Sequence, residues 1–314
     1  MHDANGLYSH RPILANYAGV DVNIPLPGIL EHGWNNDLGG ALSDLRLPMP
    51  DPFFVWSHRN LRACLGAGLS HAQGIGAPWL YMPPPPLHQA PQRSLLAIPL
   101  HSWEKVKIPQ DFENYAQALA QIAGQFSQVT VSLYWFDHQD PVNRETFEKR
   151  GFRVVTAGHR DNNPHFLRDM RQMLLGHTHV TSNRAQTGLF YGLHLGLKGF
   201  LYGPSAGVEA TVDRSGDMFA AWQEREFPML LWKNFQDDAQ PQVASDELGA
   251  DLQLSPQALR DKMLWNPDQQ MKLLNIAWQF YIRSATSRSS LLLRRWQAHR
   301  GLAQRTWRDR FRIA

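Results

Sequence analysis

The chain has 314 residues, of which 43% are hydrophobic and 19% charged, with 21 prolines and 23 glycines; this composition excludes a disordered polymer or fibrous repeat and leaves room for two globular domains. The single cysteine, Cys64, excludes an internal disulfide and a thiolate metal cage, and it points to a reducing, cytoplasmic setting. The formal charge of +3 is uneven: residues 283–314 hold nine arginines against one acid, Asp309, a local charge of +8, so residues 1–282 carry −5 and the body is not that of a general nucleic-acid binder.

The first ninety residues are rich in Gly, Pro, Trp and His. Phe53–Trp56 predicts a short strand, and Ser57 caps a helix over His58–Gly66. Ala77–Met82 predicts a further strand, and the four prolines Pro83–Pro86 then force an extended linker. A domain boundary is therefore expected within residues 83–94, giving an N-terminal α/β domain over 1–90.

Beyond the linker, strand and helix patterns alternate. Strands are predicted at Leu95–Leu100, Val129–Phe136, Phe152–Thr156, His179–Thr181 and Gly199–Tyr202, and helices at Asp111–Gly124, Asn143–Arg150, His165–Leu175 and Ala185–Leu197. This order implies βαβ crossovers, a parallel sheet covered on both faces, and a ligand at the carboxyl ends of its strands. A Rossmann-like domain is thus expected over 91–210. From Thr211 onward helical patterns carrying Trp222, Trp232, Trp265 and Trp278 dominate, so residues 211–314 are read as a helical segment crossing back, ending in the basic tail. No apolar run of about eighteen residues and no signal-peptide pattern is present.

Thr181-Ser182-Asn183 at a strand end leads into a helix start, where free backbone N–H groups and the helix dipole favour a phosphate. Thr187 and Gly188 let an anion approach, Arg184 offers a fork of charged donors, and Gly188, Gly192 and Gly196, four apart, keep one helix face thin. Ser-Asn before a helix is equally an ordinary cap, and spaced glycines are equally ordinary packing. The pattern Val180–Asn183, Thr187-Gly188, Tyr191–Leu193, Leu195–Lys198 and Tyr202-Gly203 resembles the C-terminal nucleotide-binding domain of the GT-B glycosyltransferases that build bacterial capsule and lipopolysaccharide. The resemblance implies an α/β fold of two facing Rossmann-like domains, with a nucleotide sugar bound mainly in the second and a glycan or lipid-linked acceptor entering from the first. It implies a metal-independent transferase that needs no cofactor besides its nucleotide-sugar substrate. The acidic residue that often follows the helix start in that family is not at the expected place.

Two loops complete the candidate site. Glu31 and His32, in Leu30–Asn36, pair a carboxylate with an imidazole and are the candidate catalytic bases for an acceptor hydroxyl, with Trp34 as a stacking face for a sugar; a loop histidine beside a core tryptophan is the plainer reading. His101 and Ser102, at the end of the first strand of the second domain, are candidate donor-phosphate ligands. Arg59, Asn60 and the loop Gly158–Asn163 are weaker candidates. His177 and His179, two apart on a strand, offer one pair of metal ligands, too few for a site. The arginines of 283–314, interleaved with Trp296, Trp307 and Phe311, fit an anionic membrane surface, placing the protein peripherally on an inner membrane, or else a C-terminal helix with solvated charges. The sequence reading is therefore a glycosyltransferase of surface glycans. Its rivals are a nucleotide-sugar epimerase or glycerophosphate transferase on the same fold, and a non-catalytic assembly protein at the membrane surface.

Overall fold

The computed structural model describes residues 3–36, 52–86, 90, 92–101, 111–204, 216–269, 272 and 275. Ser102, Trp278 and the basic tail at 283–314 lie outside the described residues.

Two parallel sheets organise the chain, one of three strands and one of five. The first pairs β1 (Ile29–Leu30), β2 (Phe53–Val55) and β3 (Ala72–Gly74) in that order. All of β1 and β2 is buried. The helix α1 (His10–Ala18) contributes Leu14, Ala15 and Ala18 to the same core as Leu30 and Phe54, and α2 (His58–Gly66) follows β2, capped as expected by the Ser57 hydroxyl, which accepts from Asn60 N. The strand expected at Ala77–Met82 is instead a 3₁₀ turn over Pro78–Tyr81. Pro78 has no N–H for a ladder, and both Trp79 and Tyr81 turn inward. The third strand is Ala72–Gly74, whose Gln73 and Gly74 carry no strand signal; nor does the sequence announce α1 or the two-residue β1.

The second sheet has the order β6-β5-β4-β7-β8, all parallel, from β4 (Ser94–Ala97), β5 (Gln128–Ser132), β6 (Arg153–Val155), β7 (His179–Ser182) and β8 (Lys198–Leu201). In chain order this is 3-2-1-4-5, a doubly wound Rossmann-like arrangement whose connections change direction between β4 and β7. Its central strand β4 is wholly buried, as a strand covered on both faces must be. The predicted helical spacing holds in α3 (Phe112–Ala123), which buries Phe112, Tyr115, Leu119 and Ile122 and is capped by Asp111.

Several boundaries differ from expectation: β4 ends at Ala97 rather than Leu100, and the helix expected at Asn143–Arg150 spans Pro141–Glu148. Residues Val129–Phe136 do not form one strand: β5 ends at Ser132, and α4 (Trp135–Gln139) turns the chain before α5 (Pro141–Glu148), begun by the Asp140 cap and Pro141. After α6 (Phe166–Leu175) and β7, the helix expected at Ala185–Leu197 is α7, spanning Thr187–His194. Residues 183–186 are instead held in a loop by side chains, because Asn183 Oδ1 accepts from Leu100 N and Gln186 Nε2 donates to both the Ile98 carbonyl and Ser182 Oγ. At the far end Gly196 adopts φ +84°, a conformation that favours glycine and ends the helix. The Gly188 and Gly192 faces meet Ile98 and Val180, so α7 lies close on β4 and β7; Gly196 packs on nothing.

The remaining described helices bridge the two sheets. α8 (Gly216–Glu226) adds Phe219 and Trp222 to the core that α7 shares, α9 (Pro241–Leu248) packs beside α7, and α10 (Pro256–Lys262) brings Leu259, with Met263 and Trp265 after it, into the core around α1. Among the described residues no helix is long and apolar enough to cross a membrane.

Candidate active site

A cleft of about 690 Å³, partly open to solvent, lies at the carboxyl ends of the second sheet. Its walls come from Ile98, Pro99 and His101 after β4, Ser132 to Tyr134 after β5, Thr156 to Gly158 after β6, and Gln186, Thr187 and Gly188 at the start of α7. The N-terminal half supplies Tyr8 and His32. This is the crevice at the switch point between β4 and β7, where doubly wound sheets bind ligands.

The start of α7 faces this cleft. Its first N–H groups, at Thr187 and Gly188, precede any i−4 acceptor within the helix, so the positive end of the dipole is presented to the cleft. The Thr187 hydroxyl also accepts a 2.9 Å bond from Trp34 N, which ties the loop after β1 to this helix start. His32 is thereby carried on a loop anchored to the opposite wall.

The sequence-predicted residues divide into two groups. His32, His101, Thr187 and Gly188 line the cleft together, and the His101 ring rests against Tyr134 at 4.7 Å. Thr181, Ser182, Asn183 and Arg184 do not line it. Thr181 Oγ1 donates to the Phe200 carbonyl; Ser182 Oγ accepts from Arg184 N and Gln186 Nε2; Asn183 joins the Leu100 amide to the Pro204 carbonyl. These bonds shape the loop ahead of α7. Arg184 lays its guanidinium 3.6 Å from the centre of the Phe219 ring.

Glu31 and His32, adjacent in sequence, have different surroundings. The Glu31 carboxylate is buried, with Oε2 accepting from Trp56 N at 2.8 Å and Oε1 accepting from Asn35 Nδ2 and Asn60 Nδ2. It stitches β1 to β2 and α2. Trp34, expected as a stacking face, is instead a core ring at 9% exposure among Phe190, Trp222 and Phe227. Its indole Nε1 donates to Glu247 at 2.7 Å, and Glu247 in turn holds Arg59, which also reaches Glu226. Arg59 and Asn60 thus serve the seam rather than the cleft. Of the loop after β6, Gly158 reaches the cleft and His159 packs against Tyr134, Trp135 and Phe136. His177 bonds Thr130, and His179 bonds Asp237; among the described residues no group of three or more His, Cys, Asp or Glu is placed to share a metal ion.

Two cleft residues, and the buried histidine behind one of them, escaped sequence reasoning. Tyr8, on the N-terminal segment, lines the cleft and packs edge-on against Phe166 at 5.0 Å. Tyr8 and Ser9 both have positive φ, 56° and 67°, a costly conformation for residues other than glycine. Behind them His10 is 1% exposed, neither ring nitrogen has a hydrogen-bond partner among the described residues, and burial first and neighbouring His32 second push its pKa down to about 3. Tyr191, on α7, lines the cleft although only 3% of its surface is exposed.

No protein-family model matches the chain, and no curated protein matches it. A solved structure of a point mutant of S. aureus TarM, in complex with fondaparinux, alpha-GlcNAc-glycerol and UDP, aligns at 12% identity with a TM-score of 0.29, covering 72% of this chain and 44% of that one. TarM is a GT-B glycosyltransferase. The likeness is distant, and this chain spans less than half the length of that protein.

Proposed function

We propose that the protein is a glycosyltransferase that takes a sugar from a nucleotide-activated donor and passes it to a hydroxyl of a bacterial surface glycan. The observation that supports it best is the convergence of a helix start, two histidines and a mostly apolar wall on one crevice at the switch point of a Rossmann-like sheet. The surface-glycan acceptor and the GT-B assignment rest on the sequence pattern of residues 180–203.

In this reading the nucleoside lies over the ends of β5 and β6, against Tyr134 and Gly158, and its diphosphate meets the Thr187 and Gly188 amides with His101 alongside. The acceptor oxygen attacks the anomeric carbon and its proton passes to His32. The bond from that carbon to the diphosphate oxygen breaks, and the departing nucleotide keeps the electron pair, steadied by the helix N-terminus. His32 is the proton acceptor of choice because both Glu31 oxygens already accept from Trp56 N, Asn60 and Asn35. Arg184, stacked on Phe219, has no part in this scheme.

The test is binding. UDP, GDP, CMP and dTDP are each titrated against the full chain and Tm is followed: one of them should raise it saturably, because a ligand that binds only the folded state stabilises it. No rise with any of the four rejects the reading.

A further inference from the structure

The geometry points to Tyr191 as a residue that reads a hydroxyl of a pyranose ring bound against the aromatic end of the cleft, a deepening that rests on the transferase reading for which sugar arrives there. Tyr191 is held by two tryptophans: its ring stacks on Trp79 at 4.1 Å and 6°, and on Trp56 at 6.3 Å and 25°. Trp79 is itself fixed, because its indole Nε1 donates to His194 Nδ1 at 3.2 Å on the same helix. The direction of the phenol is therefore set before any ligand arrives, which lowers the cost of binding.

Although Tyr191 is almost wholly buried, it belongs to the cleft lining, and among the described residues nothing hydrogen-bonds its hydroxyl. The hydroxyl itself is not among the buried unpartnered atoms, so it keeps some exposure on the cleft side, where a ligand hydroxyl can take the place of water. Burial first and Tyr8 second raise its pKa well above the usual phenol value, so it remains a neutral donor and acceptor at physiological pH.

The surroundings identify the ligand chemistry. Tyr8, Phe166, Leu167 and Met170 form an apolar end of the cleft, and among its described lining residues there is no Asp, Glu, Lys or Arg. Such a wall suits the C–H face of a neutral sugar, with the phenol meeting a ring hydroxyl. Tyr191 lies four residues after Thr187, so both stand on one face of α7 about 6 Å apart along the axis. A phosphate at the helix start thus places an attached hexose beside Tyr191.

Tyr191→Phe keeps the ring and its stacking and removes only the oxygen. Methyl pyranosides of glucose, galactose, mannose and N-acetylglucosamine are titrated by saturation-transfer NMR, which reads the subsite without any nucleotide. At least one should bind the native protein, and Tyr191→Phe should weaken it roughly 3- to 10-fold, the worth of one neutral hydrogen bond, with Tm unchanged. Deoxy analogues of that pyranoside supply a second arm: removing the hydroxyl that Tyr191 reads should weaken binding to the native protein but not to Tyr191→Phe. Equal affinity of both proteins for the pyranosides, or no binding of any by the native protein, overturns the inference. The two readings fail separately, since nucleotide-induced stabilisation without sugar discrimination removes only this one, and sugar discrimination without nucleotide binding removes only the transferase.

Discussion

His10 shows how one residue can be held against its own stability. Its buried imidazole has two nitrogens without partners among the described residues, each a desolvation cost of roughly 1–3 kcal/mol. Its folded pKa of about 3 lies below the ordinary 6.5, so between those values the unfolded chain binds the extra proton and stability falls as pH drops, by up to about 1.4 kcal/mol per pH unit. His10→Phe, which keeps the ring contacts with Tyr8 and Trp56, should raise the urea midpoint at pH 7 and flatten its decline between pH 6.5 and 4; an unchanged slope would mean that His10 is already protonated in the fold. Glu31 and His32 divide along similar lines. Glu31→Gln should cost roughly 1–3 kcal/mol, because an amide cannot accept from all three donors now gathered on the carboxylate. His32→Ala should leave the unfolding midpoint nearly unchanged and lower the transfer rate about 10²- to 10⁴-fold, as read by paired denaturation and turnover assays.

At the scale of the element, α7 matters most, because it meets the sheet with one face and the cleft with its start. A Cβ on Gly192 would come within 2.7 Å of Val180 Cγ1 and 3.2 Å of Leu174 Cδ2. Gly192→Ala should therefore push the helix off β7 and cost about 1–3 kcal/mol, and the displaced helix start should weaken nucleotide binding as well; calorimetry with and without nucleotide separates the two effects. Much of α7 was legible in the sequence, since glycines spaced by four and a strand-to-helix passage are local signals. Its first residue was not. The chain over 183–186 is drawn from helix into loop by bonds to Ile98 and Leu100, partners more than eighty residues away in sequence.

Across the whole molecule, the two sheets are joined by a buried polar seam. Glu247, 5% exposed, accepts from Trp34 and Arg59, and Arg59 also packs over Trp222 and Phe227. Glu247→Ala would leave the Arg59 guanidinium short of its main partner at a largely buried site and should cost about 3–5 kcal/mol. It should also loosen the loop bearing His32, so nucleotide stabilisation measured as a Tm shift should shrink; a loss of stability with full nucleotide response would separate the seam from the cleft. Alternating strand and helix patterns past residue 94 were enough to announce a parallel α/β sheet, because each pattern depends only on which face of its own segment is apolar. That Thr181 to Arg184 miss the cleft, that Trp34 is core and Glu31 a stitch, and that Tyr8 and Tyr191 share the cleft lining were decided by tertiary structure alone. Those assignments depend on contacts between segments remote in sequence, and no local periodicity records them.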